Sequence, residues 1–469
     1  MTSLCRSRIV PQRARVFLPR SRCIQADEAL GFDRAARFRC MTSPVIYPTS
    51  LRRGCGLMRS LILGFALAIT GAGGTSLPAQ EWTRFRGPNG SGLGDAPGLP
   101  AVFSSNDFRW NVELPGSGHS SPVIWGEWVF VTATPKNSSK RLILCLAAGT
   151  GEVLWQREYE TAAYHLHADN NYSAASPAVD AERVYVHWAS PEGSGLVALD
   201  QRDGREVWRK ELPAFVSPHG PGTSPIVHGE SVLLHFDQEA AESFLLCMDA
   251  KTGAERWRFA HAGTSATAST PCVYETKDAA PQVILTTRTL GMVAVDARTG
   301  TQVWELPGLM PKRCIASPVV TPRGLLIGQC GEGRAESFVY AVRPGGAGRL
   351  PEKVYEVVRV GGYVPTPLAF EDYLFLWKEN GWVTCLRASD REQLWSERVE
   401  GPFYGSPICV NGRLYNMTVR GDLVVLKADA KFEQIARIPL GEGSHATPAV
   451  TGGRMYLRTF SRLSSVGGK

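Results

Sequence analysis

The sequence lacks long hydrophobic runs and most of the short motifs that assign a chemistry directly. No apolar stretch reaches about 18 residues, the length that a transmembrane helix needs, which excludes a multi-span membrane protein. The chain has no P-loop and no HExxH, GxSxG or CxxC pattern, so nucleotide, metalloprotease, serine-hydrolase and zinc-ribbon chemistry have no motif support. It also contains neither two adjacent cysteines nor a CxxCH haem-attachment site.

A basic surface of the kind that binds nucleic acid is also missing from most of the chain. The net charge is +7, but residues 1–57 alone hold eleven arginines, no lysine and three acidic residues. The residues after position 57 therefore carry a net charge of −1, which gives no support for a nucleic-acid partner. With 43% hydrophobic and 20% charged residues, the chain has the composition of a globular protein.

Residues 58–79 have the organisation of a secretory signal peptide. Met58, Arg59 and Ser60 precede an apolar segment from Leu61 to Thr70, and small residues follow as far as Ala79. We therefore expect a periplasmic or secreted protein without a transmembrane span in its mature chain. Residues 1–57 are interpreted as a basic leader that results from an over-extended start site, with an arginine-rich transit peptide as the alternative.

An internal repeat predicts the fold. A Ser/Thr-Pro pair followed by an apolar residue occurs eight times at intervals of 40–55 residues, with the prolines at Pro122, Pro177, Pro225, Pro271, Pro318, Pro367, Pro407 and Pro448. Each unit continues with alternating strands and a glycine turn, and its fourth strand usually ends in an aromatic residue. Four short antiparallel strands per unit of this length predict an all-β, eight-bladed β-propeller, and a solenoid is the alternative.

The ends of the repeat predict how the ring closes. Only 21 residues follow Pro448, too few for a complete last blade. The segment Phe108–Leu114 resembles an isolated fourth strand, and Trp110 precedes Pro122 by 12 residues, the same interval as Trp395 to Pro407. We expect the strand around Trp110 to complete blade 8, with residues 108–469 forming the propeller. Residues 80–107 are then an N-terminal extension, whose glycine-rich part from Gly87 to Gly94 is expected to be a flexible approach to the closing strand.

Two sets of residues are expected to pack inside the propeller. The repeated tryptophans should wedge each blade against the next, although stacking on a ligand is the alternative role; they are Trp110, Trp155, Trp208, Trp257, Trp304 and Trp395. Cys145, Cys247 and Cys385 share one apolar repeat position and are interpreted as small core residues. A disulfide between Cys314 and Cys330 is left open.

The polar residues before several blades form the candidate binding site. The interval from Trp155 to Pro177 is 22 residues, against 12–17 in the other blades. Loops between blades meet around the mouth of the central channel, so we expect one polar cluster there, formed by His119, His165, His167, Asp169, Asn171, Tyr172, His219, Tyr404 and His445. A hydrated loop surface whose histidines make ordinary hydrogen bonds is the favoured interpretation of this cluster. A ligand-binding mouth is the alternative, and a metal or catalytic centre is a more distant third. We assign no catalytic residue and no metal ligand.

The repeat resembles that of a known family. The run Leu-x-x-x-Asp-Ala-x-Thr-Gly-x-x-x-Trp from Leu245 to Trp257, and its variant from Met292 to Trp304, is similar to the tryptophan-docking repeat of quinoprotein dehydrogenases. Residues 82–463 resemble the pyrroloquinoline-quinone-like propeller repeat proteins, which include the outer-membrane assembly factor BamB. The motif that starts at Trp82, with Phe85, Arg86, Gly87 and Pro88, resembles secreted planctomycete-type members.

The resemblance implies two functions. The first is a non-enzymatic scaffold of the cell envelope that binds a protein partner or a small ligand. The second is an alcohol or aldose dehydrogenase that uses pyrroloquinoline quinone and Ca²⁺; a carbohydrate-directed role is a more distant third. In the family's dehydrogenases a tryptophan and a disulfide between adjacent cysteines enclose the quinone, and acidic and asparagine ligands hold Ca²⁺. This chain has no adjacent cysteines and no matching calcium motif, so the resemblance favours the scaffold.

Overall fold

The computed structural model describes residues 81–239, 241–333, 336–346 and 348–468. The basic leader and the predicted signal peptide lie outside these residues. Apart from two short 3₁₀ helices, Pro88–Gly90 and Ser105–Asp107, the regular structure of the described residues consists of β-strands. None of the helices in this part of the chain is long and apolar enough to cross a membrane.

Eight antiparallel blades of four strands each form the propeller. Two strands precede the first repeat, β1 (Leu93–Gly94) and β2 (Phe108–Glu113). Blades 1–4 contain β3–β18, which are Val123–Trp125, Trp128–Ala133, Arg141–Ala147, Val153–Tyr159; Ala178–Val179, Arg183–Trp188, Ser194–Asp200, Glu206–Leu212; Ile226–His228, Ser231–Phe236, Glu242–Asp249, Glu255–Ala262; Cys272–Thr276, Ala279–Thr287, Gly291–Asp296 and Gln302–Leu306. Blades 5–8 contain β19–β33, which are Val319–Val320, Leu326–Glu332, Glu336–Arg343, Glu352–Val358; Leu368–Phe370, Tyr373–Trp377, Trp382–Arg387, Gln393–Arg398; Ile408–Val410, Arg413–Met417, Asp422–Lys427, Gln434–Pro439; Ala449–Thr451, Arg454–Arg458 and Arg462–Gly467.

The N-terminal strand closes the ring. Blade 8 has the strand order β2-β33-β32-β31, and β2 pairs antiparallel with β33 so that Trp110 lies opposite Ser465. The predicted eight-bladed architecture and its closure by the strand around Trp110 are both confirmed. Because each blade packs against its neighbours, closure leaves no blade with an exposed face at a break in the ring.

A ring of hydrogen bonds joins the innermost strands of all eight blades. The residue before each repeat proline is a serine or threonine, and its backbone N–H donates to the hydroxyl of the corresponding residue in the next blade. The first bond, from Ser121 N–H to Ser176 Oγ, is 2.8 Å long, and the last, from Thr447 N–H to Ser121 Oγ, is 2.9 Å long. The six bonds between them are 2.9–3.1 Å long and pass through Ser224, Thr270, Ser317, Thr366 and Ser406.

This hydroxyl ring explains why the repeat requires serine or threonine before proline. The ring atoms are buried, and a buried backbone N–H without a partner is costly. The following proline has no N–H to satisfy and holds the chain extended as it enters the first strand. The sequence pattern thus encodes the contact that fixes blade against blade at the channel.

Tryptophans join the blades a second time, farther from the axis. The Trp155 indole N–H donates to the Gln201 carbonyl of blade 2 over 2.7 Å. Its ring also covers Gly204, where an added Cβ would lie only 2.6 Å from the indole. The same pairing of indole and turn glycine recurs for Trp110 with Gly151, Trp208 with Gly253, and Trp257 with Gly300.

The last docking aromatics vary this pattern. Trp304 donates instead to the side-chain oxygen of Gln282 over 2.8 Å. The hydroxyl of Tyr355 replaces an indole N–H and donates to the Ala388 carbonyl over 2.8 Å. Trp395 donates to the Asp429 carbonyl over 3.0 Å. In blades 4–6 the docking residue is therefore a large buried aromatic with one polar end, and tryptophan is not required. In blade 7, Ile435 takes the equivalent position and packs against the core.

The N-terminal extension closes one end of the channel. Trp82 and Ile124 of blade 1 exchange two backbone hydrogen bonds. The Asn89 side-chain amide donates to the Val273 carbonyl of blade 4 and accepts the Val273 N–H. Arg86, which is fully buried, donates to the Pro407 carbonyl of blade 7 over 3.1 Å. Residues 82–92 therefore contact blades on opposite sides of the ring. The expectation of a flexible approach was wrong, because these buried contacts hold the segment as a plug.

We predict that Trp155→Ala lowers the free energy of unfolding by about 3–5 kcal/mol, the usual cost of deleting a buried aromatic side chain. The substitution removes the wedge between blades 1 and 2 and leaves the Gln201 carbonyl without its indole donor. Equilibrium urea unfolding followed by circular dichroism measures the change.

Trp382→Ala is the matched control. Trp382 is 41% exposed on the third strand of blade 6, and exposed substitutions usually change stability by no more than about 0.5 kcal/mol. Equal destabilisation by both variants would contradict the wedge role of Trp155.

Candidate functional site

Two residues of every repeat face the channel. Alternate residues of an extended segment point the same way, so the first and third residues before each proline lie on one side. The first forms the hydroxyl ring. The third lines the channel mouth in all eight blades, and these residues are His119, Ala174, Gly222, Ala268, Ile315, Val364, Tyr404 and His445. The mouth therefore has an aromatic sector in blades 7, 8 and 1, and a sector of small side chains in blades 2–4.

The mouth opens into a cavity of about 620 Å³ that ends inside the propeller. Its wall includes seven of the eight residues of the hydroxyl ring, and Phe85 of the plug also lines it. A pocket of this volume falls within the range of small-molecule sites, about 300–1,000 Å³. The channel is thus a pocket with one open mouth.

The long loop between blades 1 and 2 is held by its own polar contacts. Tyr172 accepts the Tyr164 N–H at 2.9 Å, and its ring lies under the Arg141 guanidinium at 4.6 Å. Asn170 donates to the His219 carbonyl over 2.7 Å, which ties the loop to the segment before blade 3. Asn171 accepts the Ser173 N–H at 2.8 Å and stabilises the end of the loop.

The loop reaches across the mouth to the aromatic sector. The Tyr404 hydroxyl donates to Asp169 Oδ2 over 3.2 Å, although blades 8 and 1 lie between blade 7 and this loop. Tyr404 packs on His445 with ring centroids 4.7 Å apart, and His445 packs on His119 at 4.3 Å. A second histidine pair, His167 and His219, has centroids 5.2 Å apart.

Charged groups line the opposite wall. The Arg313 guanidinium pairs with Glu239 at 2.7 Å and also lines the cavity. A Glu379 carboxylate oxygen accepts the backbone N–H groups of Tyr363 at 2.6 Å and Val364 at 2.5 Å. The wall can thus offer guanidinium N–H donors and carboxylate acceptors to a bound molecule.

Burial shifts the pKa values of three mouth residues so that their uncharged forms are favoured. The pKa of His119 falls well below its usual value through burial and through the neighbouring His445 and Arg458. Burial also lowers the pKa of His445, against the opposing effect of Asp169. The pKa of Glu379 is raised by burial, although its backbone N–H partners act in the other direction. His119 and His445 are therefore neutral at pH 7 and offer aromatic faces and ring nitrogens rather than positive charge.

The structure brings six of the nine predicted site residues to the cavity wall: His119, His167, Asp169, His219, Tyr404 and His445. His165 is exposed on the loop away from the cavity wall, whereas Asn171 and Tyr172 support the loop from within. Sequence reasoning missed Arg313, Tyr363 and Glu379. Arg313 and Tyr363 could have been found, since each stands within five residues of a repeat proline. Glu379 follows the second strand of blade 6, where no repeated sequence feature marks it.

Comparison with known proteins identifies relatives by sequence family and by fold. The sequence profile of the family described as outer membrane protein assembly factor BamB matches residues 101–214, 139–324 and 335–466. A search of curated protein sequences found no match.

Solved structures share the fold at low sequence identity. BamB from Moraxella catarrhalis has a TM-score of 0.54 and 15% identity, covering 77% of this chain and 97% of its own. The quinohemoprotein alcohol dehydrogenase from Comamonas testosteroni has a TM-score of 0.61 and 14% identity, covering 83% and 81%. The computationally designed Ika8 protein has a TM-score of 0.54 and 10% identity, covering 76% and 98%. Since a dehydrogenase and a designed protein share this fold, the fold alone assigns no activity.

We predict that His119 makes stability depend on pH. In the unfolded chain His119 takes up a proton near its ordinary pKa of about 6.5, but in the folded protein only at a lower pH. Protonation therefore favours the unfolded state, and this contribution to stability is complete above pH 6.5 and is lost as the pH falls towards the folded-state pKa. His119→Gln removes it, so thermal melting from pH 8 to pH 5 should show a smaller decline for the variant.

The comparison isolates His119 because all other titrating groups are common to the two proteins. Parallel declines in the melting temperature of wild type and variant would contradict the buried, neutral state of this ring.

Proposed function

Because this chain belongs to the propeller family described as outer membrane protein assembly factor BamB, we propose that it is a non-enzymatic scaffold of the cell envelope. The signal-peptide pattern at residues 58–79 supports export to the periplasm or the exterior. The proposed binding face is the channel mouth, and its partner is an envelope protein or a small ligand.

The observation that carries this proposal is the shape of the channel. The plug blocks one end, and the other opens into the cavity of about 620 Å³ where loops from several blades converge. A rigid ring with one concave, loop-lined face is suited to presenting binding groups in a fixed arrangement.

The composition of the mouth supports binding of a partner with both aromatic and polar groups. His119, His445 and Tyr404 form a continuous aromatic surface, with successive ring centroids at 4.3 Å and 4.7 Å. Arg313 and Glu379 lie on the cavity wall and can contribute charged hydrogen bonds. Between these sides, the small residues Ala174 and Ala268 leave room for an inserted group.

The mouth does not fit the quinone site that the resemblance implied. Among the described residues that line the cavity there is neither a tryptophan nor a cysteine to enclose a quinone. The seven described cysteines are free and buried. The three carboxylates on the cavity wall have separate partners. Asp169 is bound by Tyr404, Glu332 by Lys312 and Glu379 by backbone N–H groups, so they do not form a common calcium site.

Site-specific photo-crosslinking in cells that produce the protein tests the scaffold function. A photoreactive amino acid at His165, on the exposed part of the mouth loop, should yield a discrete protein adduct. The same group at Glu127, in the turn between β3 and β4 on the opposite face, should yield none. Ala268→Trp, which fills the mouth, should reduce the His165 adduct. Equal labelling from both positions, or no effect of filling the mouth, would contradict the proposed face.

A titration with pyrroloquinoline quinone and Ca²⁺ tests the dehydrogenase alternative. We expect no saturable change in tryptophan fluorescence and no dye-coupled oxidation of alcohols or aldoses. Saturable binding accompanied by dye reduction would overturn the scaffold proposal.

A further inference from the structure

Blade 3 contains a compact group of metal-binding side chains outside the mouth. His235 is the last but one residue of the second strand of the blade, Asp237 directly follows that strand, and His261 lies on the fourth strand. One ligand atom from each residue lies within 4.8 Å of the other two. The Nε2 atoms of the two histidines are 3.3 Å apart.

Strand pairing explains how the three side chains meet. His235 pairs with Leu245 on the third strand, and His261 pairs with Ser243 two residues earlier on that strand. Residues two apart on a strand share a face, so His235, Asp237, Ser243 and His261 all point to the same side of the blade. The small Ser243 side chain lies on the third strand, between the second and fourth, and its hydroxyl accepts the Gln238 N–H at 3.0 Å.

Asp237 lacks the partners that a buried carboxylate normally requires. The residue is only 2% exposed, and neither of its carboxylate oxygens has a hydrogen-bond partner among the described residues. Buried charged groups are usually paired or bound to a metal, so this side chain points to a missing cation.

His261 is oriented to act as a ligand through Nε2. His261 Nδ1 lies 3.0 Å from the Ala262 carbonyl, so the Nδ1 proton is held there and Nε2 keeps its lone pair. Two imidazole nitrogens bound to one tetrahedral zinc ion at about 2.0–2.1 Å lie about 3.3–3.4 Å apart. The observed 3.3 Å between the two Nε2 atoms matches this separation.

We propose that His235, Asp237 and His261 form a zinc-binding site in blade 3. Two imidazoles and one carboxylate suit a divalent transition metal, and three protein ligands leave one zinc position for water or another ligand. His261 lines an open depression with Glu242, Ala260 and Gly263, which gives the ion access from the surface. This site is independent of the function proposed for the mouth, since none of its three residues lines that cavity.

Isothermal titration of the chelator-treated protein with ZnCl₂ tests the proposal. We expect one zinc ion per chain. His261→Gln and Asp237→Asn should each weaken zinc binding by more than about tenfold, because each removes one of three ligands. Asp237→Asn keeps the shape of the side chain and removes an unpaired buried charge, so circular dichroism should show a folded protein.

His167→Gln is the matched control, because His167, His219 and Asp169 form a second histidine and carboxylate group at the mouth. This variant should bind zinc as the wild type does. Co²⁺ loaded into the wild type should give the visible absorption bands of a tetrahedral site, and His261→Gln should lose them. The proposal is overturned by an absence of stoichiometric binding, by unchanged affinity in both ligand variants, or by loss of binding in His167→Gln.

Discussion

Eight hydrogen bonds from backbone N–H groups to hydroxyls, arranged head to tail around the channel, hold the propeller together at its axis. Each blade donates one bond and accepts one, and the bond from Thr447 to Ser121 at 2.9 Å leaves no blade without both partners. Because this ring fixes the residue before each proline, it also fixes the residue two positions earlier, which faces the mouth. The constraint is the same in every blade, whereas the mouth residue varies from glycine to histidine, and function can therefore change without loss of the scaffold.

The plug converts a ring-shaped scaffold into a pocket, and buried arginines hold it in place. Arg84 donates to the Pro271 carbonyl over 2.5 Å, and Arg86 donates to the Pro407 carbonyl over 3.1 Å. Burial lowers the pKa of Arg84 to about 10 and that of Arg86 to about 9. A buried guanidinium needs hydrogen-bond acceptors, and these carbonyls supply them. Gly92 is required beside them, since a Cβ there would approach the Arg86 guanidinium to 2.7 Å. Arg84, Arg86 and Gly92 thus all serve to close the channel.

Sequence periodicity predicted the parts of the structure that repeat. The blade count, the closing strand around Trp110 and the positions of the docking aromatics all follow from residues that recur at equivalent places. Features that occur once have no such signal. Glu379 reaches the mouth from the end of a second strand, and His261 meets His235 across an intervening strand, so both depend on register that only the folded sheet defines. The plug was missed because a glycine-rich composition resembles a linker as long as its contacts are unknown, and those of Asn89 and Arg86 lie 184 and 321 residues away in the sequence.

Amide hydrogen exchange at the joint of the hydroxyl ring, where Thr447 of blade 8 bonds to Ser121 of blade 1, tests whether the ring is closed. If the hydroxyl ring is closed, the N–H groups of Ser121 and Thr447, on either side of the joint, should exchange as slowly as that of Thr270 in the uninterrupted part. Peptide-resolved exchange followed by mass spectrometry measures the three segments in one experiment. Equal, strong protection is the predicted result. Faster exchange at Thr447, whose N–H forms the bond from blade 8 to blade 1, than at Thr270 would show that the ring opens there and would contradict the central role of its closure.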